Sequence, residues 1–173
     1  YGPGTPYWRN PDELKALVAR VRAAAPRKWL IAKVPGGDIP VEEISVACQE
    51  GGADAITSYS SLNGSCIDIQ TGAYRCGGGG SGGFSGPAFK PVGILMCRRA
   101  AAAVDIPVIG IGGISCAEDV IEYIMAGAYA VQVGSANLSR PDFMHRLLKD
   151  LEVLAGQMGI SSFEEIRGTA RIE

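Results

Sequence analysis

Two glycine-led turns carry the clearest chemical signal in this chain. Gly112-Gly113 and Gly134-Ser135 each follow a short apolar run, residues 106–111 and 129–133. A phosphate is held by converging backbone N–H groups, and glycine clears the space that a side chain would block. Ser135 adds a hydroxyl donor. The plain alternative is that these glycines only turn the chain after buried strands. Their recurrence on consecutive strands tilts the reading towards phosphate. Lys33 is the third candidate, a lysine near the end of the apolar run 29–34. An ammonium there is costly unless it reaches a partner at the strand end. It faces either an anionic ligand or developing negative charge, or it is a snorkelling or ion-paired structural lysine.

Other reactive side chains offer less. His145, the only histidine, falls on a predicted terminal helix, away from the strand ends. Cysteines 48, 66, 76, 97 and 116 form no CxxC pair and are odd in number. They read as free thiols of a reducing, cytoplasmic compartment and mostly as buried fillers, not as a disulfide framework or a metal site. Asp68, Asp119, Glu164 and Glu165 are expected on solvated faces, and Trp8 and Trp29 in packing.

The elements that would position these residues follow from periodicity. Asn10-Pro11-Asp12-Glu13 reads as a helix start, and Leu14, Leu17, Val18 and Val21 continue it to about Ala24. Strands are expected at 29–34, 53–59, 106–111 and 129–133, the first read as buried. Helices are expected at 41–49, 90–104, 116–125 and 142–156, with a short turn near 162–166. Strands alternating with amphipathic helices imply a parallel sheet with right-handed crossovers. A doubly wound sheet and part of a (β/α)8 TIM barrel both fit, and the strand-end glycines favour the barrel, which often holds a phosphate after its last strands. Four strands amount to half of one. The connection 60–88 is long for a βα loop, and its glycine-dense stretch 77–83 reads as a flexible lid or a bare linker.

Composition excludes several classes. The 173 residues carry a net charge of -2, with 47% hydrophobic and 20% charged residues. Mean hydropathy is +0.14 and the isoelectric point is near 5.5. Such a chain is folded rather than solvating, and it lacks the basic footprint of a nucleic-acid binder. No apolar run approaches the roughly 18 residues of a membrane span.

Three stretches resemble a known family. Ser85-Gly86-Pro87-Ala88-Phe89-Lys90-Pro91 is one, followed by Asp105-Ile106-Pro107-Val108-Ile109-Gly110-Ile111-Gly112-Gly113-Ile114. Met125-Ala126-Gly127-Ala128-Tyr129-Ala130-Val131-Gln132-Val133-Gly134-Ser135-Ala136-Asn137 is the third. They are similar to the dihydroorotate dehydrogenases, and within them to the class whose FMN subunit works with an FAD and iron–sulfur subunit. Gly52-Ala53-Asp54 and Phe163-Glu164-Glu165-Ile166-Arg167-Gly168 also fit. The related pyrimidine-reducing flavoenzymes share much of the pattern.

The resemblance implies the C-terminal half of an FMN-binding barrel over residues 1–173. Lys33 would contact the flavin ring and stabilise its anionic reduced form. Tyr59 would touch the cofactor through its backbone, and Gly86 would belong to a flavin-contacting turn. Gly112, Gly113, Gly134 and Ser135 would hold the phosphate. Ser60 and Ser61 stand where the family usually has Asn-Thr, at the pyrimidine-binding position. An amide presents a donor and an acceptor, which a shorter hydroxyl does not reproduce. The family's first four strands and its base cysteine would lie upstream of Tyr1, so no catalytic residue is expected here. The implied reaction is dihydroorotate to orotate in pyrimidine biosynthesis, with the chain inactive alone. The alternatives are a non-catalytic phosphate- or flavin-binding half-barrel, a related pyrimidine-reducing flavoenzyme and a non-flavin phosphate-binding barrel enzyme. An open half-barrel exposes sheet edges and an apolar inner face, so an upstream half or a second copy is expected to cover it.

Overall fold

The computed structural model describes residues 9–33, 39–58 and 61–171. The first helix, α1 (Pro11–Ala24), starts as its sequence requires: the Asn10 side chain accepts from the amides of Asp12 at 3.1 Å and Glu13 at 3.3 Å. Then come β1 (Ile31–Lys33), α2 (Val41–Glu50) and β2 (Ala55–Thr57). A small antiparallel unit follows: β3 (Leu62–Gly64), one turn of helix α3 (Gly77–Gly80) and β4 (Gly82–Phe84). After a 3-10 turn at Pro87–Phe89, α4 (Lys90–Ala103), β5 (Val108–Ile111), α5 (Ala117–Met125) and β6 (Ala130–Gln132) continue the alternation. The chain closes with α6 (Ser135–Ser139), α7 (Phe143–Met158) and α8 (Phe163–Ile166).

The main sheet is parallel throughout, in the order β1-β2-β5-β6. Sequence-adjacent strands of the repeat are therefore spatial neighbours, as half of a (β/α)8 barrel requires and an order that reverses midway would not. Register assigns the two faces. Ala32, Ile56 and Val108 form one paired row and belong to the helix-side core with Ile44, Cys97 and Tyr123. Lys33, Thr57, Ile109 and Ala130 form a paired row one residue out of phase, on the opposite, inner face.

That geometry corrects the expectation of a buried first strand. Ile31 is 46% exposed and Lys33 is exposed, because β1 ends the sheet and its inner face meets no second layer among the described residues. Only β2 is buried along its whole length. Arg22 and Asp54 fasten this edge from outside the sheet. They form an ion pair, Asp54 accepts from the Leu30 amide at 2.7 Å, and Arg22 Nε donates to the Gly52 carbonyl at 2.9 Å.

The connection 60–88 is not a bare linker where it is described, because its backbone pairs with itself. Leu62 pairs with Phe84 and Gly64 with Gly82, with a further bridge from Ile67 to Tyr74. Asp68 sets the tip by accepting from the amides of Gln70 and Thr71 and pairing with Arg75. Other expectations change too. Cys48 and Cys97 are buried, Cys66 and Cys116 are exposed, and all five thiols are free. Trp29 is 79% exposed. Asp119 is buried, for reasons that belong to the site.

Candidate functional site

A cavity of about 460 Å³ opens at the C-terminal ends of the parallel strands. Lys33, Ser61, Gly86, Gly112, Gly113, Gly134 and Ser135 all line it. The residues singled out in the sequence thus meet in one place, although about a hundred positions separate the first from the last. Tyr59 and Ser60 lie outside the described residues. His145 is exposed on α7 and does not reach the cavity.

Each turn has a local cause. After β5 the backbone passes through φ +109 at Gly112 and φ +72 at Gly113, which side-chain-bearing residues rarely adopt. A Cβ on Gly112 would lie 2.4 Å from the Phe89 ring, and one on Gly113 would lie 2.6 Å from the Lys90 amide nitrogen. Packing of the turn against the start of α4 therefore demands glycine at both positions, independently of any ligand. Gly134 differs. A Cβ there meets no atom within 4 Å, so its missing side chain leaves cavity space rather than a packing contact. Asn137 anchors this second turn by donating to the Val133 carbonyl at 3.0 Å. Ser135 and Ser85 join the two sides through a hydroxyl–hydroxyl bond of 3.1 Å.

The charged lining is cationic. Lys33, at the end of β1, and Arg140, one residue beyond α6, contribute the two cations, and no carboxylate lines the cavity among the described residues. Neither cation has a carboxylate partner among the described residues. With the serine hydroxyls and two glycine turns, this wall favours an anion. Ile111, Ile114, Pro87 and Phe143 give it an apolar part as well. The volume and the mixed lining are those of a small-molecule site.

Sequence reasoning missed Arg140, Ser85, Gln132 and Ser139. Arg140 left a faint signal, a cation five residues after the Gly134-Ser135 turn. Gln132 ends β6 on the inner face, which only the strand register reveals.

Behind the cavity, the first turn of α5 is organised by Asp119. Its carboxylate accepts from the Ser115 amide at 2.7 Å, the Ser115 hydroxyl at 2.9 Å and the Cys116 amide at 3.2 Å. Lys90 Nζ lies 2.6 Å from its other oxygen and 2.8 Å from Glu122. Burial alone would raise the Asp119 pKa, but the bonds from Lys90 and Ser115 outweigh it and hold the carboxyl below its usual range. The bonds from Lys90 to Asp119 and to Glu122 raise the Lys90 pKa. Burial pushes the thiols of Cys48 and Cys97 up to about 11. Both stay protonated at neutral pH, so neither supplies a thiolate base.

The family profile described as "Dihydroorotate dehydrogenase" matches residues 2–154. A "Dihydroorotate dehydrogenase B (NAD(+)), catalytic subunit" of Solidesulfovibrio magneticus is 38% identical over 169 residues, 98% of this chain and 55% of that protein. Proteins of the same description from Petrotoga mobilis and Trichlorobacter lovleyi are 40% and 37% identical, over 88% and 95% of this chain and 50% and 54% of their own lengths. The chain thus spans about half the length of the curated relatives it matches.

Proposed function

Because the chain belongs to the dihydroorotate dehydrogenase family, we propose that it is the FMN-binding C-terminal half of a (β/α)8 oxidoreductase that converts dihydroorotate to orotate. One observation carries this reading: both glycine turns, the Ser85–Ser135 pair and the cations Lys33 and Arg140 share a single cavity at the strand ends. The donor set suits FMN. The amides of Gly112, Gly113 and Gly134, with the Ser135 hydroxyl, would hold the phosphate, and Arg140 would balance its charge. Gly86 and the apolar lining would border the ring, and Lys33 would place its ammonium beside it.

When bound, FMN supplies the hydride acceptor of the reaction. The chain's own residues bind, orient and balance charge. Lys33 would favour the reduced, negatively charged ring, and Ser61 with Ser60 would meet the pyrimidine at its edge. The proton-abstracting base is assigned to a segment outside this sequence, so the chain alone is expected to bind the cofactor without turnover. Electrons would leave through a separate flavin and iron–sulfur subunit. The exposed inner-face residues Ile31 and Lys33 of β1 would be covered by the other half of the barrel.

Titration of the 173-residue chain with FMN and with riboflavin, followed by flavin fluorescence, tests the reading. FMN is expected to bind and riboflavin to bind far more weakly, because only FMN carries the phosphate. Equal affinities, or no binding of either, would overturn it. Dihydroorotate-dependent bleaching of the flavin is expected only once the other four strands are supplied. FMN retention without bleaching in that assembled form would instead favour a non-catalytic binding module.

A further inference from the structure

Gly112 and Gly113 can hold an anion only if their N–H groups face the cavity. Among the described residues, and outside the strand ladders, neither amide donates to a backbone group, so no backbone acceptor there fixes their direction. The cause lies behind them. The Tyr123 hydroxyl is 2.9 Å from the Ile111 carbonyl oxygen and 2.8 Å from the Gly112 carbonyl oxygen. Its single hydrogen is shared between the two. A trans peptide is planar, with its C=O and N–H pointing in opposite directions. The Ile111 carbonyl and the Gly112 N–H belong to one such plane, and the Gly112 carbonyl and the Gly113 N–H to the next. Drawing both carbonyls towards α5 therefore turns both N–H groups away from α5.

The fold makes room for this contact. Tyr123 is fully buried. A Cβ on Gly93 of α4 would sit 2.0 Å from its hydroxyl oxygen, and one on Gly110 of β5 would sit 2.4 Å from its ring. A buried hydroxyl must find a partner, and among the described residues this one finds the carbonyls of Ile111 and Gly112, where β5 gives way to the turn. Asp119 fixes the other end of the same loop through the Ser115 and Cys116 amides, with Lys90 tying it to the start of α4. Neither Tyr123 nor Asp119 lines the cavity.

We propose that Tyr123 and Asp119 are positioning residues that aim the Gly112 and Gly113 amides at the ligand's phosphate without touching it. The proposal rests on the FMN reading above. Tyr123→Phe removes one oxygen and keeps the ring in its slot, while Asp119→Asn keeps the shape but weakens the hold on Lys90 and the loop. Each variant, measured on the full chain, is expected to lower the FMN-to-riboflavin affinity ratio about tenfold, the scale of one misdirected bond to a charged acceptor. Riboflavin affinity should not move. A purely structural role would lower the melting temperature and leave the ratio at its wild-type value, and that result overturns the proposal. Unmutated protein provides a second arm that no folding defect can obscure. Inorganic phosphate is expected to shift the amide resonances of Gly112 and Gly113, and silence at both overturns the proposal. Wild type without any preference for FMN would sink the cofactor reading and this inference together. A preference that both variants retain would sink the inference alone.

Discussion

Replacing Gly134 by valine separates the site from the fold. A Cβ at this position meets no protein atom within 4 Å, and the residue is exposed at the cavity wall. The protein should therefore melt as before, within the roughly 0.5 kcal/mol usual for an uncrowded surface change. The added branches instead occupy space where a phosphate would approach the turn. Losing two backbone donors to a charged acceptor, at about 1.5–3 kcal/mol each, removes about 3–6 kcal/mol. That is roughly two to four powers of ten in Kd. Fluorescence titration with FMN reads the loss, and riboflavin serves as the control. Gly113→Ala provides the contrast. Its φ of +72 and the Lys90 nitrogen 2.6 Å from the new Cβ should destabilise the fold itself. Unaltered FMN affinity in a folded Gly134→Val protein would refute the phosphate assignment, as would an equal loss for riboflavin.

Three further outcomes follow from the charges around the site. Lys33→Met keeps the length of the side chain and deletes the cation, so the bound flavin's reduction potential should move negative. A contact worth about 1.4 kcal/mol corresponds to about 30 mV for a two-electron couple, and spectroelectrochemistry showing no shift would make Lys33 structural only. Arg140→Ala should weaken FMN binding at low salt and much less at high salt, where the wild-type advantage is screened; a salt-independent difference would contradict a charge role. Asp119 faces Lys90, with Glu118, Glu122 and Cys116 near it, and its carboxyl is held below the ordinary value of about 3.9. A lowered folded pKa gives stability that is present above the unfolded value and lost as pH falls through the folded one. Denaturant unfolding of wild type and Asp119→Asn should therefore differ at neutral pH and converge in acid, and a gap that persists in acid would argue against the ionised pair.

Most of the scaffold was legible because its signals are local. The Asn10 cap, the apolar runs and the glycine stops specify elements within a few residues of their observed bounds. The parallel direction of the main-sheet strands follows from alternation, whereas their spatial order needed the strand-end glycines as a further clue. Burial was harder to read. An apolar strand such as 31–33 looks alike in sequence whether both faces are covered or one is open, and only the sheet edge decides. The hairpin of β3 and β4 hid because glycines at 77–83 carry no side-chain pattern, while its pairing is made by backbone groups. Asp119 looked solvated because its partners are an amide four residues back and a lysine on another helix. Arg140 and Tyr123 escaped for the same reason: their places depend on how α6 and α5 meet the strand ends. Gly86, Gly112 and Gly113 were legible because positive backbone φ at strand-end turns calls for glycine, which sequence does record.

Amide hydrogen exchange of the chain with and without FMN tests the central claim most directly, since it shows where the ligand sits. Protection should rise at residues 111–115 and 133–136 and at the turn around Gly86, while riboflavin should leave the first two segments at their unliganded rates. Protection confined to other segments, or the same pattern with riboflavin as with FMN, would contradict a phosphate held between the two turns.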